Sequence, residues 1–127
     1  MTNRVVITGM AVNTPLGDTL EGFLAGLLAG RSALSRWQAL DTARIYSKVG
    51  ADLSAYDVAA KVAAFAGRVP EEIYRRLRKL VAKSPWSTRL TMLLSLAGYL
   101  DAGLVNADVD PTRMAAIVAG HNINFNY

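Results

Sequence analysis

The chain has 127 residues, 52% of them apolar and 19% charged, with one His and no Cys. Such a chain is one domain's length, can bury a real core, and is too apolar to be disordered. The composition excludes disulfides, thiolate metal sites, multi-histidine metal sites and a cysteine nucleophile within these residues. The net charge of +4 is local. Arg68, Arg75, Arg76, Arg78, Lys79, Lys83 and Arg89 face only Glu71 and Glu72 in the same stretch, a surplus of +5, so the rest of the chain sums to −1. A local surplus points to an acidic partner more than to general solubility.

The opening run Arg4-Val5-Val6-Ile7-Thr8-Gly9-Met10 is β-branched with little polar alternation. It reads as a strand buried on both faces, as in a parallel sheet. It carries no signal-peptide cleavage site. Asn13-Thr14-Pro15-Leu16-Gly17 is turn chemistry. Asp18 then reads as a helix N-cap, with Glu21 three residues on as in a capping box. Leu20, Phe23, Leu24, Leu27 and Leu28 keep helical spacing, and Gly30 suits the left-handed position just past a helix end. The predicted helix spans about Thr19 to Ala29.

The signal weakens from Arg31 to Tyr56, where Tyr46 to Gly50 reads as a short strand. Val58 to Ala66 has helix-compatible composition. Pro70-Glu71-Glu72 is a helix start, with proline at the first position and acids at the positive dipole end. That helix is predicted to reach about Lys83, and Ser84-Pro85 restarts the chain. The segment from Pro85 to Ala102 is apolar nearly all round, which predicts a buried helix. Its longest charge-free stretch, Leu90 to Leu100, is too short to span a bilayer, which needs about 20 residues. Gly103 ends this helix, Asp110-Pro111 makes a turn, and Met114 to Ala119 is a second predicted buried strand. Strand, helices, then strand is the opening of an α/β layered fold.

These residues together resemble a family. The run Arg4 to Met10, the turn Thr14-Pro15-Leu16-Gly17, and Phe23-Leu24-Ala25-Gly26-Leu27-Leu28-Ala29-Gly30-Arg31-Ser32 look like the N-terminus of β-ketoacyl synthases, the condensing enzymes of fatty acid and polyketide assembly. Ala97-Gly98-Tyr99-Leu100-Asp101-Ala102-Gly103-Leu104 resembles the family's buried helix, and Arg113 to Gly120 resembles the strand after it. The resemblance implies the N-terminal part of a thiolase-like layered α/β fold. Residues 1–127 would form the N-terminal portion of a synthase domain, ending before the catalytic cysteine. It implies acyl transfer to that cysteine and decarboxylative condensation with a malonyl unit on a carrier protein. No catalytic residue of the family has a counterpart here.

The resemblance also implies partners and sites. Arg78, Lys79 and Lys83 fall where the family presents basic residues to its acidic acyl carrier protein; the other reading is a solvated helix face. Nucleic-acid binding is disfavoured, because few aromatics interleave with the basic residues. His121, Asn122 and Phe125 follow the second strand, where the family lines its acyl pocket; the plainer reading is loop packing. Where the family commonly has Gly in its opening strand-turn, this chain has Ala11, and where it has a glycine-rich turn this chain has His121 to Tyr127. Polar residues there would suit a short or polar acyl group, which raises a ketosynthase-like decarboxylase as an alternative. A non-catalytic partner or carrier-docking subunit is the competing reading. No metal or bound cofactor is expected, phosphopantetheine arriving on the carrier protein. A homodimer or ketosynthase-like heterodimer, a cytoplasmic location and no membrane association complete the expectations.

Overall fold

The computed structural model describes residues 4–119, and the chain divides into two compact units. Among the described residues the smaller unit covers 12–57 and the larger one 4–11 together with 58–119.

The smaller unit starts with the predicted turn. Thr14 and Gly17 exchange backbone hydrogen bonds of 3.0 and 3.1 Å, and the Thr14 hydroxyl donates to the Gly17 carbonyl at 2.9 Å. Helix α1 follows, Leu20–Leu28. Its N-cap is Thr19 rather than Asp18. Thr19 has extended backbone angles, and its Oγ1 accepts the Gly22 N–H at 3.1 Å, which satisfies a first-turn donor that no helical carbonyl can reach. Glu21 therefore sits one position too early for a capping box. The C-terminus matches expectation: Gly30 has φ +63°, its N–H bonds Leu27, and the Arg31 N–H bonds Gly26. These paired bonds are the Schellman closure.

Helix α1 buries its small side. Gly26 is its buried residue, and a Cβ there would lie 2.7 Å from Leu16 Cγ. Leu24, Leu27 and Leu28 are exposed, Leu28 at 80%. Farther on, β1 (Ser35–Arg36) and β2 (Val49–Gly50) pair antiparallel, Ser35 opposite Gly50 and Arg36 opposite Val49. Gly50 carries no Cβ because the Trp37 indole occupies that space, and the indole N–H donates to the Ser47 carbonyl at 3.2 Å. Asp52 fastens the end of this loop: its carboxylate accepts the Gln38 N–H at 3.2 Å, the Ser54 N–H at 3.0 Å and the Ser54 hydroxyl at 2.5 Å.

The larger unit is helical. Helices α2 (Val58–Ala63) and α3 (Glu71–Lys83) both pack on α4 (Trp86–Asp101). Short 3₁₀ turns follow at Leu104–Asn106 and Pro111–Arg113. Val62, Phe65, Val69, Leu77, Val81 and Leu93 form the buried core. Each such side chain removed from water contributes about 1.5–3 kcal/mol. Pro70 and Pro85 sit one position outside their predicted places, as the N-caps of α3 and α4, because their extended ψ of 141° and 159° keeps them out of the helix.

The opening segment is anchored on the end of α4. The Met10 N–H donates to Asp101 Oδ2 at 2.8 Å. A Cβ on Gly9 would lie 2.5 Å from the Ala102 nitrogen and 2.6 Å from the Gly98 oxygen, so only glycine allows this approach.

Two expectations are corrected. Residues 4–10 and 114–119 form no strand among the described residues, and Val5, Ile7 and Ile117 are 95%, 82% and 94% exposed. A β-branched run suits a sheet, but hydrogen-bonded neighbours make one, and neither run finds a neighbour here. Likewise α4, expected to be buried, has Leu93 as its buried residue and is otherwise mostly half-buried. Two helices cover only part of its circumference. The described residues thus show mixed helices with one small sheet, and no layered parallel sheet. No described helix is long and apolar enough to cross a membrane.

Candidate functional site

The basic cluster is carried by α3, whose position is set by Leu77 and Val81 turned into the core. At about 100° per residue, its polar residues fall into two rows. Glu72, Arg76, Lys79 and Lys83 make one row, and Glu71, Arg75 and Arg78 make the other, about 100° round the helix. The helix therefore brings Lys79 and Lys83 together, four residues apart, and sets Arg78 apart from them. Arg76, outside the predicted trio, lines up with both lysines. The signal for that is its spacing of three and seven residues from them.

The members also differ in what already holds them. Arg75 Nε lies 3.7 Å from Glu71 Oε1. The Arg78 guanidinium stands 5.8 Å from the Tyr74 ring centroid, within cation–π range. Arg89, counted with the cluster by sequence, is partly buried and donates from Nε to the Ser84 carbonyl at 2.7 Å, closing the end of α3. Arg76, Lys79 and Lys83 are exposed and have no ion pair among the described residues. Glu72 heads the same row one turn before Arg76 without an ion pair to it among the described residues, and the three cations along about 10 Å of helix repel one another and can receive carboxylates or phosphates.

His121, Asn122 and Phe125 lie outside the described residues. No group of three or more His, Asp or Glu that could hold a metal gathers among the described residues. Asp52 is held below the usual carboxylate range, first by the Ser54 hydroxyl and then by the Ser54 and Gln38 N–H groups. Burial, with a smaller push from the Asp18 charge, raises the Tyr56 hydroxyl above its ordinary value. Both residues serve the smaller unit's loops.

The sequence matches the family described as "Beta-ketoacyl synthase, N-terminal domain" over residues 2–127. The chain belongs to the β-ketoacyl synthase family. Among relatives of this synthase chain is a protein provisionally named polyketide beta-ketoacyl synthase 1 from Streptomyces halstedii. It is 30% identical over 118 residues, covering 93% of this chain and 25% of that protein. A second, provisionally named granaticin polyketide beta-ketoacyl synthase 1 from Streptomyces violaceoruber, is 29% identical over 114 residues, covering 90% of this chain and 24% of that protein. The chain thus spans about a quarter of the length of these curated relatives. No solved structure matches it significantly.

Proposed function

We propose that this chain is the N-terminal segment of a β-ketoacyl-[acyl carrier protein] synthase of polyketide assembly, with fatty acid assembly as the neighbouring possibility. The observation that carries the reading is the family match across residues 2–127, supported by relatives whose names place them with polyketide synthases. In this reading the segment contributes to a thiolase-like layered α/β fold. The sequence contains no Cys, so the thiol that accepts the acyl group lies outside residues 1–127. A thiolate suits the task because it attacks a thioester readily and leaves readily. The intact protein takes an acyl group from a carrier protein and condenses it with a malonyl unit, losing CO₂. It works in the cytoplasm as a homodimer or with a ketosynthase-like partner. The carrier docks on the basic side of α3, the helix of Arg78, Lys79 and Lys83.

The test is turnover by the intact protein with acyl- and malonyl-loaded carrier protein, followed by intact mass of the carrier. A β-ketoacyl-carrier product is the expected result. Acetyl-carrier alone would replace condensation with decarboxylation, and no change in either carrier would leave a non-catalytic subunit.

A further inference from the structure

We draw no further inference here: the strongest candidate, the solvent-shielded side-chain amide of Asn13 in the turn before α1, whose oxygen and nitrogen have no hydrogen-bond partner among the described residues, carries nothing because nothing in the structure shows what group would pair with it.

Discussion

Replacing Gly9 with Ala tests how the opening segment is held. The new methyl group would sit 2.5 Å from the Ala102 nitrogen, 2.6 Å from the Gly98 oxygen and 2.7 Å from the Ala102 Cβ. Two of these neighbours are helix backbone and cannot rotate away, so residues 4–10 must move off α4 by roughly 1 Å to restore ordinary contact distance. Overpacking of this kind costs about 1–3 kcal/mol. The shift also breaks the 2.8 Å bond from the Met10 N–H to Asp101, which is exposed and so contributes about 1 kcal/mol. The expected loss is about 2–4 kcal/mol, read as a lower urea midpoint of the intact protein and faster hydrogen exchange at the Met10 amide. Asp101→Ala alone should cost only the hydrogen-bond share. Because both changes break one contact, the double variant should be scarcely worse than Gly9→Ala alone. A Gly9→Ala protein within 0.5 kcal/mol of the parent (roughly the error of such comparisons), or fully additive costs, would refute the anchoring.

Gly30→Ala meets no neighbour within 4 Å, so its cost of about 1 kcal/mol would come entirely from the left-handed backbone at φ +63°; Gly30→Asn, by the same logic, should cost less in the same urea titration. Thr19→Ala should destabilise by about 1 kcal/mol and Thr19→Asp hardly at all, whereas Asp18→Ala should leave the cap intact. Asp52 gives an acid-side signature. Its folded pKa lies below the ordinary aspartate value, so its contribution is present above the unfolded pKa and lost as pH falls through the folded one. A carboxyl chemical-shift titration should place Asp52 below 3.8, with Ser54→Ala moving it back up; an unmoved midpoint in that variant would remove the Ser54 hydroxyl as the main cause.

What could be read from the sequence was mostly local. The turn at Thr14–Gly17, the end of α1 at Gly30 and the extent of α3 to Lys83 depend on neighbouring residues, and each lies where the residue chemistry puts it. The shift of the α1 cap from Asp18 to Thr19 is a one-residue ambiguity between two good cap residues, resolved by which oxygen reaches Gly22. Pairing was not legible. Of the short strand expected over Tyr46 to Gly50 only Val49–Gly50 pairs, nothing in the sequence announces its partner Ser35–Arg36, and their two-residue ladder is held by Trp37 over Gly50. Conversely, Val5 to Met10 and Met114 to Ala119 announce strands and form none among the described residues, because a strand depends on distant partners. The basic cluster was visible as composition, but its division into an occupied row and an open one appeared only once the phase of α3 and the positions of Glu71 and Tyr74 were known.

Helix α1 reverses the usual order of mutational tolerance. With Gly26 against Leu16 and leucines outermost, adding one methyl group to its smallest side chain should harm this unit more than removing whole isobutyl groups from Leu24 or Leu28. Whatever keeps those leucines in the sequence is therefore something other than the stability of residues 12–57.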